Sequence, residues 1–239
     1  TWLRDTYFAR YRDATQASDA RDASEAELAY SRGLDALRSK KHKEAVTQLR
    51  MALDKGGDGP ELRFDLATAA LRADDPSLAR IHLKIACEQD PQSIRIHSRY
   101  LATLEALGDK DAAYVQRQKL ATLREDDVKL SVLVALEAHQ RQDKDVLIEF
   151  ADRALDIAPF SRDVRVLTGW ARLANGEAED ALREADLALS LPSETNNQLG
   201  AKLVQVEAFL VLGRHLEAKK ILDTLPAENT RVQALKQRL

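Results

Sequence analysis

Several things that most folds use are scarce in this chain of 239 residues. There is one cysteine, Cys87, so no internal disulfide can form. That suits a reducing compartment, and it equally suits a periplasmic protein that needs no cross-link. Aromatic residues make up 5%, and there are only nine glycines and six prolines. Few turn formers, set among many Ala, Leu, Arg, Glu and Asp, point to an all-helical chain. No apolar run approaches the roughly 18–20 residues of a membrane span, so this segment is not expected to insert into a bilayer. No secretory leader is visible, but the chain opens at Thr1 rather than methionine, which makes that absence a weak guide to compartment. A basic excess is missing too: 36 basic residues face 39 acidic ones for a net charge of −3. The charges interleave, as in Arg162-Asp163 and Arg183-Glu184, in the manner of solvated helix faces. Nucleic acid is therefore not an expected partner.

What is present is a repeat. A small or apolar residue follows a short polar turn at Ala45, Ala79, Ala113, Leu147 and Ala181, always at the same step. It recurs at Ala218 after a step three positions longer. The three extra residues fall in the polar stretch Ser193-Glu194-Thr195-Asn196-Asn197. Seven residues after each marker stand Ala52, Ala86, Leu120, Ala154, Ala188 and Leu225. The turn before each marker holds Lys40, Asp74, Gly108, Gln142, Gly176 and Gly213. Gly33, Ala67, Ala135 and Gly169 occupy a further column, and Pro91, Pro159 and Pro192 close repeats.

Residues seven apart lie two turns apart on one helix face. Small side chains there let a neighbouring helix approach closely. Gly or Asp between helices allows a tight reversal, and Pro ends the second helix. Ala45, Leu49, Ala52 and Leu53 share such a face, as do Leu66, Ala70 and Ala73. No segment alternates as a strand would. A single helix pair cannot bury its own apolar side, so the pairs must stack.

A 34-residue two-helix repeat with these columns resembles the tetratricopeptide family over roughly residues 26–232. The first repeat carries Ala29, Gly33, Ala45, Leu49 and Ala52, and the fifth Gly169, Gly176, Ala181 and Ala188. The resemblance implies an all-α, right-handed α-solenoid of about six helix–turn–helix repeats with N- and C-terminal capping helices. It divides the chain into a capping helix and linker at 1–25, an array at 26–232 (repeats at 26–59, 60–93, 94–127, 128–161, 162–195 and 199–232) and the end of a capping helix at 233–239. The sequence departs from the family where a large aromatic is usual early in the first helix: Ala29, Arg63, His97, Ser131 and Arg165 stand there instead. The large apolar column of the second helix, kept as Leu49, Leu83 and Leu222, becomes Arg117, Ala151 and Ala185. Local irregularity is expected in the third and fourth repeats.

At the ends, Trp2, Leu3, Tyr7, Phe8 and Tyr11 suggest a helix that caps the first repeat or docks elsewhere, and residues 14–24 read as a polar linker or frayed helix. Beyond Pro226, Asn229 suits an N-cap for a short helix with Val232, Leu235 and Leu239 on one side.

No catalytic or cofactor motif emerges, and none is expected; the chain reads as a non-enzyme. The five histidines, at 42, 82, 97, 139 and 215, include no pair three or four apart, so no helix offers a metal pair. Gly56-Gly57-Asp58-Gly59 lacks the order and context of a phosphate loop and reads as the link between repeats. Glu125-Asp126-Asp127 reads as a solvated turn, and Cys87 as a buried, inert thiol.

The resemblance places a partner groove along the first helices of successive repeats. Its projected lining supplies the candidate partner-binding residues Tyr30, Leu34, Phe64, Arg95, Arg99, Lys129, Leu136, Trp170 and Glu207, beside Val132, His139, Asp163, Val166 and Leu203. Tyr30, Phe64 and Trp170 either anchor a partner or pack one repeat on the next. Arg95, Arg99 and Lys129 either meet an acidic partner or face solvent. The Lys–Asn–Arg clamp of chaperone-binding members is absent, since Tyr30, Leu34 and Asp65 hold its columns. The function expected is a scaffold that holds a peptide or helical segment of another protein. The degenerate, Ala- and Arg-rich repeats look bacterial, and such arrays serve envelope, secretion or exopolysaccharide complexes. The compartment expected is bacterial cytoplasm or periplasm, with any membrane attachment through a region outside this segment. The alternatives are a self-associating spacer and the non-catalytic part of a larger enzyme or membrane protein.

Overall fold

The structure, a computed structural model, describes residues 21–192 and 198–239, and every regular element among them is an α-helix. The aromatic segment at residues 2–11 and the polar stretch at 193–197 lie outside the described residues. Residues 21–38 form α1. Then come α2 (His42–Asp54), α3 (Pro60–Arg72), α4 (Pro76–Gln89), α5 (Ile94–Ala106), α6 (Lys110–Leu123) and α7 (Val128–Arg141). The rest are α8 (Lys144–Ile157), α9 (Arg162–Ala174), α10 (Ala178–Ser190), α11 (Leu199–Val211), α12 (His215–Leu222) and α13 (Thr230–Lys236). Helices α3, α5, α7 and α9 begin at the constant step of the sequence repeat, and α2, α4, α6, α8 and α10 do likewise.

Residues 21–24, expected to be linker or frayed helix, are helical. Their polar character is used in ion pairs: Arg21 with Glu25 at 3.2 Å, and Asp22 and Glu25 with Lys55, just past the end of α2, at 3.5 and 2.6 Å. At the other end Asn229 caps α13 by accepting from the Arg231 and Val232 amides at 3.0 and 3.2 Å. Val232 and Leu235 are buried, whereas Leu239 is exposed because the helix stops at Lys236.

The chain forms two compact units, one ending at Leu123 and one spanning Arg124–Leu239. In the first, α2 to α6 pack in sequence order. In the second, α7 to α13 do the same, and α7 also touches α9, α9 touches α11, and α11 touches α13. Those four helices therefore form a row along one side of the second unit. The helices of the third and fourth repeats are regular, at 13 or 14 residues each. The junction between the two units falls between these two repeats.

The repeat columns are the core. Ala45, Ala79, Ala113, Leu147, Ala181 and Ala218 are all buried, and so are Ala52, Ala86, Leu120, Ala154, Ala188 and Leu225. Where the family aromatic is missing, polar pairs between the two helices of a repeat take over. Arg63 bonds His82 at 3.3 Å, and Arg165 bonds Glu184 at 2.7 Å. Buried His97 meets Gln116 at 2.5 Å. The His97 Nε2 faces the Pro91 carbonyl at 3.2 Å, so it donates there and Nδ1 accepts from Gln116. In the fourth repeat Ser131 stands in the column, and the residue 19 positions on is Phe150, a buried aromatic on the second helix.

All six turns within repeats close alike. The amide of the residue just before each second helix reaches back five positions: Lys41 to Ala36, Asp75 to Ala70, Asp109 to Leu104, Asp143 to Ala138, Glu177 to Arg172 and Arg214 to Phe209, at 2.8–3.0 Å. This closure needs a left-handed residue just before it. Lys40, Asp74, Gly108, Gln142, Gly176 and Gly213 supply it, with φ between 59° and 82°. A side chain in that region costs about 1 kcal/mol. Gln142→Gly should therefore raise stability by about 1 kcal/mol. Gly176→Ala should lower it by a similar amount through the backbone alone, because a Cβ there meets nothing within 4 Å. Thermal unfolding of the two variants checks both signs.

Candidate functional site

The nine candidate partner-binding residues divide between the two units. In the first unit Tyr30 donates to Asp65 Oδ2 at 2.7 Å. Burial and that bond push the Tyr30 phenol up to about 12, so it stays protonated as a donor. Phe64 is buried in a core with Ala67, Leu83 and Ile96. The Arg95 guanidinium lies over its ring at 4.1 Å and pairs with Glu61. Arg95 thus stands in an ion pair of its own chain with its side chain about half exposed (52%), and Phe64 lies in a core shared by the second and third repeats. Leu34 is half-buried and Arg99 is exposed. Beside Tyr30, a cavity of about 460 Å³ is walled by Glu27, Glu61, Leu62 and the Gly56–Gly59 turn. That turn is the link between α2 and α3. Gly57 is required in it, since a Cβ would sit 2.8 Å from the Ala52 carbonyl oxygen. Burial pushes the Cys87 thiol up to about 12, as expected of an inert core cysteine.

In the second unit Leu136 and Trp170 come together, with Glu207 close by, while Lys129 is exposed. A cavity of about 400 Å³ opens along α7, α9 and α11. Its apolar wall is Val132, Leu136, Val166 and Leu203; its polar wall is His139, Arg162, Asp163 and Arg231. Trp170 forms part of the floor and is itself 7% exposed. Leu136, by contrast, is 44% exposed at the mouth.

Arg231 of α13, which sequence reasoning passed over, is the hub at the end of this cavity. Its guanidinium lies over the Trp170 ring at 4.0 Å. Its Nε and NH2 donate to Glu207 Oε1 at 3.1 and 3.0 Å. Its NH1 faces His139 Nε2 at 3.1 Å. His139 in turn stacks on Trp170, with ring centroids 4.9 Å apart and planes at 30°. Four helices meet through these four side chains.

Arginine can only donate, so the bond from Arg231 requires His139 Nε2 to carry its lone pair. Burial, then the Arg231 charge, hold the His139 pKa below the ordinary 6.5, with Glu207 acting the other way. A depressed folded pKa means that the unfolded chain binds the proton more readily. The stabilisation is therefore complete above 6.5 and is lost as pH falls through the lowered folded value. Trp170 emission, read in a Trp2→Phe background, should change as pH drops below 6.5, and His139→Gln should flatten that change.

Among the described residues no group of three His, Cys, Asp or Glu side chains is placed to hold a metal ion. No helix among them is long and apolar enough to cross a membrane.

Helix pairs recurring at a constant step, small-residue columns buried between them and a common left-handed turn define a tetratricopeptide-like helix-pair array. Arrays of this class present extended surfaces to other proteins. Solved structures of similar fold include MamA from Desulfovibrio magneticus RS-1, at 17% identity, 76% of this chain, 97% of that one and a TM-score of 0.46. The Pseudomonas aeruginosa pilF protein is 17% identical over 91% of this chain and 99% of that one, with a TM-score of 0.45. A tetratricopeptide repeat protein from Parabacteroides merdae ATCC 43184 is 16% identical over 89% and 84%, with a TM-score of 0.46. No family model matches the chain, and no curated protein does.

Proposed function

We propose that the chain is a non-catalytic scaffold whose second unit holds a peptide or helical segment of a partner protein along α7, α9 and α11. The observation that carries this reading is the open cavity of about 400 Å³, with an apolar wall, an exposed Leu136 at its mouth and charged residues around it. An apolar pocket rimmed by a few oriented charges is the usual form of a segment-binding surface. The Ala- and Arg-rich, degenerate repeats support a bacterial setting, in which an envelope, secretion or exopolysaccharide complex supplies the partner.

Trp170→Ala would remove a buried ring and is a poor test. A photo-cross-linking phenylalanine analogue at Val132, on the cavity wall, is better suited. In a lysate of the source organism it should join to one defined segment of another protein, and Leu136→Glu should abolish the product while circular dichroism stays unchanged. Cross-links confined to the chain itself, or unaffected by Leu136→Glu, would overturn the reading.

A further inference from the structure

The second unit shows how a guanidinium is received. The Trp170 face takes its plane, Glu207 takes two of its N–H groups and His139 a third. This three-sided arrangement matches arginine, whose planar fork donates in several directions while stacking on a ring. A lysine ammonium could meet Glu207, but could not stack and fork at once.

The present occupant is held lightly. Helix α13 has seven residues and buries only Val232 and Leu235. A helix that short is not stable by itself. It also leaves the adjoining apolar cavity of Val132, Leu136, Val166 and Leu203 open. If Arg231 withdrew, two carboxylates, Glu207 and Asp163, would remain beside the cavity against one base, Arg162, whose Nε and NH2 are turned to the carbonyls of Ala188 and Leu191. The vacated site would favour a cation.

We propose that Trp170, His139 and Glu207 form a receptor for an arginine side chain, filled in cis by Arg231, and that the partner segment enters by placing its own arginine there and an adjacent apolar side chain in the cavity. This rests on the groove-binding reading above and names the chemistry of the occupant. Tethering keeps Arg231 at an effective concentration of about millimolar, so a partner must fill the apolar cavity as well to displace it. Helix α13 then acts as a selectivity filter: segments with arginine alone, or with apolar side chains alone, lose to it.

The test uses the full chain with Val232→Ser and Leu235→Ser, which undock α13, and a labelled synthetic peptide of residues 227–239 as the arginine-bearing probe. Fluorescence anisotropy should show the peptide binding about tenfold tighter to this variant than to the native chain. Glu207→Gln, or lysine at the peptide's Arg231 position, should each weaken binding about tenfold. A second variant, Arg231→Ala, vacates the receptor without touching a buried apolar group, and it should also bind the peptide more tightly than the native chain. If both variants are folded by circular dichroism and neither binds, or if the lysine peptide binds as well, the receptor is overturned, whatever the cross-linking at Val132 shows. Arginine-dependent binding without any foreign cross-link at Val132 would support the receptor and overturn groove binding. Native chain that dimerises with concentration and becomes monomeric on Arg231→Ala would make a second copy the occupant and overturn the partner.

Discussion

Gly33→Val is expected to destabilise the first unit by about 3 kcal/mol. A Cβ at Gly33 would lie 2.6 Å from both Cγ and Cδ2 of Leu49 and 3.4 Å from its backbone nitrogen. Leu49 is fully buried, in a core with Ala29, Ala36, Ala45, Ala52 and Leu66. Its Cγ is not a free end that can swing aside, and the close backbone limits how far α1 can withdraw. Valine adds two methyl groups to that collision. Alanine at the same position carries two opposed effects: about 1 kcal/mol of gain from helix propensity and about 1–3 kcal/mol of loss from overpacking. In the native background the loss should win. In a Leu49→Ala background, which itself costs about 3 kcal/mol, the obstacle is gone and Gly33→Ala should become stabilising by about 1 kcal/mol. Urea unfolding of the four chains measures the coupling directly. If Gly33→Ala has the same sign in both backgrounds, close helix approach is not what keeps glycine there.

This pair also shows what could be read from the amino-acid order. The Gly33, Ala67, Ala135 and Gly169 column and the marker columns share one period because every repeat solves one packing problem, and the solution is local. The turns could be read for the same reason, although Lys40, Asp74 and Gln142 show that the left-handed site is set by the closure and not by glycine. Asn229 was legible as a cap from its position after Pro226. The candidate site was legible only as a face. Periodicity says that Leu136, Trp170 and Glu207 look the same way, but not which side chains their own chain already holds. Arg95 and Glu61 stand one repeat length apart, so adjacent first helices bring them side by side. That spacing was the available signal for their pairing, as the similar offset of 35 was for Tyr30 and Asp65. Arg231 gave no such signal. It lies 92 residues from His139, not a whole number of repeats, and the sequence of α13 displays only an apolar stripe. Contacts made by a terminal helix that is not one of a repeated pair are ones a repeat pattern cannot supply.

Arg162→Met should destabilise the second unit by about 3 kcal/mol. The cause lies in a proline. Helix α10 ends at Ser190, and the carbonyl of Ala188 would ordinarily accept from the amide four residues on. That residue is Pro192, which has no N–H. Arg162, the first residue of α9, reaches across and donates its Nε to the Ala188 carbonyl at 2.9 Å, and its NH2 donates to the Leu191 carbonyl. The side chain is 9% exposed, so water is poorly placed to replace it. Its charge also sits at the negative end of the α10 dipole. Methionine keeps most of the volume and removes both donors, leaving two shielded carbonyls unpaired at about 1–3 kcal/mol each. Lysine keeps the charge but lacks the fork, and should recover about half of the loss. Pro192→Ala is the decisive background: the proline favours the extended backbone of Leu191 (ψ 142°), and without it Leu191 can turn helical and bring an amide to the Ala188 carbonyl. There Arg162→Met should cost about 1 kcal/mol less than in the native chain. An equal cost in both backgrounds would mean that the guanidinium is retained for its place on the cavity wall and not as the donor that the proline withholds.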